Sequence, residues 1–354
     1  MNDPQGYRFE RIEPSELSPD ELRPAAELYQ ALQRERTPED PPIPLEPILR
    51  RLRAVVPGQW HAVFGARAAD GTLAGYGVVN RSLNEPENAH LRWTELAVLP
   101  EHRRRGVGRA LMRRLVDAVS DQGDDVVFMG QAIDRIPAGE KFARAVGATP
   151  GLDMKTNQLD LSNVDRAKVD EWAAIAPSGY RMERIDEAVP AALVRPYIEA
   201  SNGMNDAPRG ELKMADWKLT EEQIRERESW LRQTGAIRWL IVAVHEATGD
   251  GAGYTEVSYD PASPHVIWQQ GTAVIDAHRG HRLGVWMKAA MLQRILAEWT
   301  KARFIRTGNA NTNAQMLAIN TQLGFRQAWS ACLWQIPIAD ARRAVGLERA
   351  GANA

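Results

Sequence analysis

A basic, glycine-containing turn between two apolar segments is the part of this 354-residue sequence best suited to chemistry. Residues 103–108 read Arg-Arg-Arg-Gly-Val-Gly, after a strand-like segment at 92–98 and before a helical pattern. The first amides of a helix lack intrahelical partners, and the helix dipole adds positive potential there. Glycines let the backbone approach a phosphate closely. The spacing predicts a pyrophosphate site, and a surface turn with solvated arginines is the alternative.

The turn occurs twice, because the sequence repeats itself. Residues 94–111 are echoed by 270–287, so that Arg103 corresponds to Arg279, and the segment GYRFERI at 6–12 returns as GYRMERI at 179–185. Landmarks in the same order at a nearly constant offset indicate two copies of one domain.

Each copy has the same predicted order of elements. A first strand leads into helical stretches, two strands joined by a turn, a strand that enters the basic turn, an amphipathic helix, and a last strand and helix. Strands mixed with helices predict an α/β class. We expect an N-terminal domain at 1–172 and a C-terminal domain at 179–340, with a linker near 173–178.

The motif Arg-x-x-Gly-x-Gly, after a strand that ends Val-x-Pro, resembles the main acetyl-CoA motif of the GNAT superfamily of N-acetyltransferases. The resemblance implies a mostly antiparallel sheet with flanking helices. It also implies acetyl-CoA (coenzyme A) as cofactor, with the pantetheine arm in a gap between two splayed strands. The two-copy layout is similar to that of double-domain bacterial acetyltransferases of the mycothiol synthase type.

The resemblance assigns acetyl-CoA binding to residues of both copies. They are Leu96, Ala97, Val98, Arg103, Arg104, Arg105, Gly106, Val107, Gly108 and Arg109 in the first copy, and Ala273, Val274, Ile275, Arg279, Gly280, His281, Arg282, Leu283, Gly284 and Asn313 in the second. The second turn departs from the motif, because Arg282 stands where the first copy has Gly106.

A second GNAT motif is similar to residues 309–325. In the family, an Asn at the place of Asn313 often meets the cofactor, and a Tyr at the place of Asn320 often protonates the departing thiolate. The first copy has Ile136 and Ala143 at these two places, so neither copy has the tyrosine.

Glu95 is the candidate catalytic residue, because it precedes Leu96 on the strand that borders the proposed thioester. A carboxylate there can remove the proton of the attacking amine. An exposed strand glutamate paired with an arginine is an equally weighted alternative. The second copy has Gly271 at this place, so its base would lie elsewhere, with Glu256 and His265 as candidates and a structural role as the favoured alternative for each.

Two further features of each copy bear on catalysis. By the resemblance, backbone N–H groups near Val98 and Val274 polarise the thioester carbonyl. Tyr76 and Tyr254, repeated next to glycine, are interpreted as packing residues rather than acids.

Composition excludes several other classes of protein. With 44 basic and 46 acidic side chains the net charge is -2, which argues against a nucleic-acid binder. No apolar run is long enough for a membrane span, and the polar first 13 residues are not typical of a signal peptide. No metal site is expected, since His278 and His281 lack a third ligand at zinc-type spacing.

The sequence predicts a cytoplasmic enzyme, because its single cysteine, Cys332, cannot form an internal disulfide. Arginine greatly outnumbers lysine, which is typical of a GC-rich bacterial genome. The expected reaction is acetyl transfer to a small-molecule amine such as an amino sugar, an amino acid or an antibiotic-like amine, by a monomer or homodimer. The alternative is a catalytically silent CoA-binding or scaffold protein with one or both copies degenerate.

Overall fold

The computed structural model describes residues 3–347, which contain the five strands predicted in each copy and two further strands, Thr149–Asp160 and Arg326–Pro337. The strands are β1 (Tyr7–Ile12), β2 (Gln59–Ala68), β3 (Leu73–Ser82), β4 (Leu91–Val98), β5 (Val127–Ile133), β6 (Thr149–Asp160), β7 (Tyr180–Ile185), β8 (Ile237–His245), β9 (Gly251–Tyr259), β10 (Val266–Val274), β11 (Phe304–Ala310) and β12 (Arg326–Pro337).

Helices fill most of the intervals between these strands. They are α1 (Pro19–Arg36), α2 (Leu45–Arg53), α3 (Val107–Asp117), α4 (Pro137–Ala145), α5 (Arg166–Ala173), α6 (Ala191–Ser201), α7 (Glu221–Thr234), α8 (Leu283–Glu298), α9 (Ala314–Gln322) and α10 (Ile338–Val345). Capping boxes start α1 at Ser18 and α7 at Thr220, because each cap side chain accepts a hydrogen bond from the amide three residues later and the cap's own amide donates to the side chain of that residue.

The chain folds into two compact units. The first unit takes the chain up to Asp153, the segment Arg209–Ala215 and the chain from Ala331 onward. Among its strands β1, β2, β3 and β4 pair antiparallel in order, β4 pairs parallel with β5, and β12 pairs antiparallel with β5.

The second unit comprises Met154–Pro208 and Asp216–Ser330. It repeats the arrangement, with β7, β8, β9 and β10 antiparallel in order, β11 parallel to β10, and β6 antiparallel to β11. The predicted mixed α/β class with a mostly antiparallel sheet is confirmed.

The two units exchange a strand. β6 follows the first copy in sequence but pairs in the second unit, where Asp160 lies opposite Phe304. β12 follows the second copy but pairs in the first unit, where Pro337 lies opposite Val127. The predicted ranges 1–172 and 179–340 describe the sequence repeat, whereas the compact units are discontinuous because the division falls within these two strands.

A buried helix supports the strand beside each basic turn. On α3 the predicted apolar face is confirmed, since Leu111, Leu115 and Val116 are fully buried. On α8 the corresponding Met287 and Met291 are buried as well. The turn that precedes each helix is therefore held on a rigid core. Within residues 3–347 we find no helix with the length and apolar character needed to cross a membrane.

Candidate active site

The first basic turn has a backbone shape that exposes its amides. Arg104 and Gly106 have positive φ angles of 61° and 85°, and α3 begins directly after Gly106. The first hydrogen bond into α3 runs from the Ala110 amide to the Gly106 carbonyl. The amides that precede Ala110 in the turn therefore have no acceptor within α3, which makes this turn suited to an anion.

Three contacts fix this turn to its surroundings. The Tyr7 hydroxyl lies 2.9 Å from Nδ1 of His102. Arg103 donates from Nε to the Val98 carbonyl at 2.9 Å, and its other two nitrogens pair with the Glu35 carboxylate of α1 at 2.7 and 2.5 Å. The Arg103 guanidinium thus anchors the turn, whereas the side chains of Arg104 and Arg105 are exposed.

The second basic turn has the same backbone conformation, but its glycine is at the first left-handed position instead of the second. Gly280 and Arg282 have φ angles of 83° and 61°, so the glycine and the arginine occupy the two left-handed positions in the opposite order. Arg279 donates to the Val274 carbonyl at 3.2 Å, and the Tyr180 hydroxyl lies 2.9 Å from Nδ1 of His278. The turn therefore follows the same path without a glycine at the place of Gly106.

Strands β4 and β5 separate next to the first turn. Their parallel pairing ends at Trp93 and Met129, while β4 stays paired with β3 up to Val98. The Leu99 amide donates to Ala74 of β3, and the Val98 carbonyl accepts from Arg103 on the other side. Because the amides of successive residues point to opposite sides of a strand, the N–H groups of Leu96 and Val98 point into the gap.

The second unit has the same gap between β10 and β11. Pairing ends at Trp268 and Arg306. The Ile275 amide donates to Ala252 of β9, so the Val274 and Thr272 amides point to the gap by the same alternation. The two positions expected to polarise a carbonyl, Val98 and Val274, therefore lie at the two gaps.

Glu95 lies on the face of β4 opposite α3, next to the gap. Its exposed carboxylate accepts a hydrogen bond from the Tyr76 hydroxyl of the neighbouring strand β3. Burial and the charge of Glu95 raise the pKa of Tyr76 well above its usual value, so the hydroxyl stays protonated. Tyr76 packs against the apolar cluster below α1, in agreement with its interpretation as a packing residue, and it is also the partner of Glu95.

In the second unit, the position that corresponds to Glu95 has no room for a side chain. A Cβ atom built at Gly271, which replaces Glu95, would overlap the Tyr254 hydroxyl. The alternative base, Glu256, is only 4% exposed and binds the Tyr197 hydroxyl at 3.0 Å and Arg227 at 2.8 Å. The carboxylate of Glu256 raises the pKa of Arg227, so both groups are held as an ion pair.

The other candidate base of the second copy, His265, lies before β10. Its ring packs edge-on against Phe304. The structure therefore places this histidine at the start of β10, whereas the gap between β10 and β11 opens beyond Trp268.

Comparisons with known proteins agree with this geometry. The model of the acetyltransferase (GNAT) family matches residues 25–147. Streptothricin acetyltransferase of Streptomyces lavendulae is 33% identical over 104 residues, which make up 29% of this chain and 53% of that protein. The chain thus spans about half the length of this curated relative.

Solved structures extend the similarity to the whole chain. A tandem GNAT protein from the clavulanic acid biosynthesis pathway has a TM-score of 0.74 at 25% identity, over 94% of this chain and 98% of that one. A GCN5-related N-acetyltransferase from Sphaerobacter thermophilus has a TM-score of 0.65 at 17% identity, over 95% and 96% of the two chains.

The first copy belongs to the GNAT acetyltransferase family. The second copy has the same fold, so the chain carries two tandem GNAT-like domains.

The second GNAT motif is placed on α9 in the second copy. Asn313 is the N-cap of α9, and its Oδ1 accepts from the Met316 amide at 3.2 Å. Asn320 is 1% exposed and donates to Oδ1 of Asn309, so it is part of the core at the place of the family's tyrosine. In the first GNAT copy Ile136 precedes α4 without a side-chain cap.

The remaining predicted positions surround the two GNAT turns. Val107 and Leu283 are buried at the helix starts, and Gly108 and Gly284 follow them. A Cβ atom at Gly108 would lie 3.3 Å from the Phe142 ring, so α4 comes close to the turn. No group of three metal-ligating side chains occurs within the described part of the chain.

Proposed function

We propose that the first GNAT copy transfers an acetyl group from acetyl-CoA to the amine of a small molecule. One observation supports this most: an exposed carboxylate, Glu95, held by the Tyr76 hydroxyl, lies where β4 leaves β5. A carboxylate at the edge of an open gap meets the requirement for a general base.

The chain's residues fit the chemical parts of acetyl-CoA. The amides of the turn at residues 104–109 suit a diphosphate, and the gap lined by the Leu96 and Val98 amides suits an amide-containing arm and a carbonyl. When bound, acetyl-CoA supplies an acetyl thioester, and amine plus thioester give amide plus free thiol. The second turn has the same shape, so we propose that the cofactor positions named from the sequence contact CoA in both copies. Arg103 and Arg279 are the exceptions, because they hold the turns in place instead.

Glu95 serves the acceptor amine. An amine is protonated at neutral pH and must lose a proton before its nitrogen can form a bond to carbon. Glu95 accepts that proton, and the Tyr76 hydroxyl holds the carboxylate in place by donating a hydrogen bond to it. The Leu96 and Val98 amides donate hydrogen bonds to the carbonyl oxygen as negative charge develops there.

We propose that the second copy supports the first rather than performing transfer. It has no carboxylate at Gly271, and Glu256 is neutralised by Arg227 and covered by Tyr197. An ion-paired carboxylate in a buried site is a poor acceptor for a substrate proton. A silent CoA-binding role is thus favoured for this copy only.

The acceptor is a small-molecule amine in this proposal. The name of the curated relative, streptothricin acetyltransferase, supports an antibiotic-like amine, while amino sugars and amino acids remain in the candidate class. The single cysteine favours a reducing, cytoplasmic setting. We propose a monomer or homodimer.

The test is release of free CoA thiol from acetyl-CoA in the presence of a panel of amines, with the Glu95→Gln variant alongside. Removal of the base is expected to lower kcat roughly a hundredfold or more while the affinity for CoA, measured by calorimetry, is unchanged. Glu87→Gln, at an exposed position between β3 and β4, is the matched control. Full turnover by Glu95→Gln, or no turnover by the wild type with every amine, would contradict the proposal.

A further inference from the structure

An exposed tryptophan flanks the proposed base. Trp93 is 37% exposed and precedes Glu95 by two residues on β4. Residues two apart on a strand point to the same face and lie about 7 Å apart. The ring of a tryptophan in solvent offers an electron-rich face to a ligand that reaches the neighbouring Glu95.

A short segment packs on residues next to this tryptophan. Arg209–Ala215 lies within the first unit, and its Leu212 packs against Leu91 and Met129. Leu91 precedes Trp93 by two residues on the same face, and Met129 is the partner of Trp93 on β5. Leu91 and Met129 are buried, whereas Trp93 and Glu95, which follow Leu91 on the same face of β4, are exposed.

Hydrogen bonds between side chains and the backbone hold the segment in this position. The Ala215 amide donates to Oδ1 of Asn88 at 2.9 Å, and the Lys213 carbonyl lies 2.8 Å from Nε2 of His90. Gln335 of β12 bonds the Lys213 amide at 3.1 Å and the Glu211 carbonyl at 2.7 Å. The segment therefore forms a fixed wall on the acceptor face of the first unit.

We propose that Trp93 recognises a second cationic group on the acceptor, so that the first copy prefers diamines and larger polyamines over monoamines. This inference rests on the proposed function of Glu95. One amine of the acceptor reaches Glu95, and a second ammonium group lies on the Trp93 ring. The ring face attracts a cation, and it does so most strongly for tryptophan. The acceptor class is thus an amine with two or more positive charges.

The experiment uses equilibrium binding, by calorimetry without acetyl-CoA, of two compounds: cadaverine and pentylamine, the monoamine of the same chain length. The full-length protein should bind cadaverine more tightly. Trp93→Leu should lower the affinity for cadaverine about five- to tenfold and leave that for pentylamine nearly unchanged. Trp93→Phe should keep part of the preference, which separates the ring face from simple loss of packing.

The second copy provides the matched control. Trp268 occupies the equivalent place at the end of the β10–β11 pairing and is 44% exposed, so Trp268→Leu removes a similar surface without touching Glu95. Preference for cadaverine should survive in this variant. Equal affinity of the wild type for the two compounds, a preference retained in a folded Trp93→Leu protein, or a loss in Trp268→Leu would each overturn the proposal.

CoA release separates this inference from the proposed function. Cadaverine binding that depends on Trp93 without release of CoA from acetyl-CoA supports the recognition site and contradicts transfer. Release of CoA with the same KM for both compounds supports transfer and contradicts the role of Trp93.

Discussion

At the scale of single residues, the candidate carboxylate of the first copy is exposed and that of the second is buried. Glu95 is exposed and bound by one neutral donor, whereas Glu256 is buried and binds an arginine and a tyrosine. A buried carboxylate compensates its desolvation only through its partners and cannot readily exchange them for a substrate. This difference is the physical reason for assigning transfer to the first copy.

The hydrogen bond between Tyr76 and Glu95 predicts a graded loss of activity. Tyr76→Phe leaves the carboxylate in place but removes its donor, so kcat should fall by about three- to tenfold, less than for Glu95→Gln. Steady-state kinetics with one responsive amine measures both variants. A Tyr76→Phe protein as inactive as Glu95→Gln would indicate that the hydroxyl itself contacts the reacting groups.

Lys288 predicts a pH dependence of stability. It lies on α8, is 3% exposed and contacts Gln269 at 3.3 Å, and burial lowers the pKa of its ammonium to about 7. In the unfolded chain this pKa is about 10.4, so between these two pH values the unfolded state binds one more proton. The free energy of unfolding should therefore rise with pH across this window.

Lys288→Met tests this explanation, since the first copy has the buried Met112 at the equivalent place. The variant should be more stable by roughly 2–4 kcal/mol near pH 7, and the gain should shrink toward about pH 10. Urea unfolding at several pH values measures it. A gain that is constant with pH would show that packing, rather than the proton, is responsible.

At the scale of elements, the turn before each helix is defined by two left-handed residues rather than by its glycines. Gly106 and Gly280 occupy different members of the pair, and arginine occupies the other member in each copy. A side chain in this conformation costs about 1 kcal/mol relative to glycine. Each turn thus keeps one strained arginine next to the amides proposed to bind the diphosphate.

This strain can be measured at Arg282. Arg282→Gly should be more stable than Arg282→Ala by about 1 kcal/mol, because the two variants differ only by a Cβ atom at a left-handed position. At the neighbouring exposed His281, whose φ is not positive, alanine should be the more stable replacement. Thermal unfolding of the four variants gives both differences. Equal stability of the Arg282 pair would contradict the left-handed conformation.

At the scale of the whole molecule, each unit depends on a strand from the other half of the sequence. The first unit uses β12 and α10, and its core includes Ile336, Ile338 and Val345. A fragment of residues 1–172 lacks all of these and leaves the β5 edge unpaired. We expect it to show no cooperative thermal transition by circular dichroism.

A rearranged chain is the control for this fragment. Residues 1–153 joined by a flexible linker to residues 331–347 restore the strand order of the first unit and should unfold cooperatively. Cooperative unfolding of the 1–172 fragment itself, with the stability of the full-length protein, would show that the exchanged strand is dispensable.

Much of the fold is predictable because it rests on local patterns. The period of apolar residues predicts α3 and α8, and the repeat predicts that β1 and β7 begin the two copies. The basic turn is predicted from its glycines and from the family resemblance. The helix patterns depend on neighbours within windows of about 11–18 residues.

Side-chain partners and strand exchange were decided only by the tertiary structure. Tyr76 meets Glu95 across two strands, and Glu256 meets Tyr197 and Arg227 from three separate elements. The predicted order of elements does not include β6 or β12, whose pairing depends on which strand edge is free in the folded protein. The sequence by itself determined most of the elements and the basic turn, because these follow from local hydrogen bonding. Which carboxylate stays exposed and which strand completes each sheet follow from long-range packing.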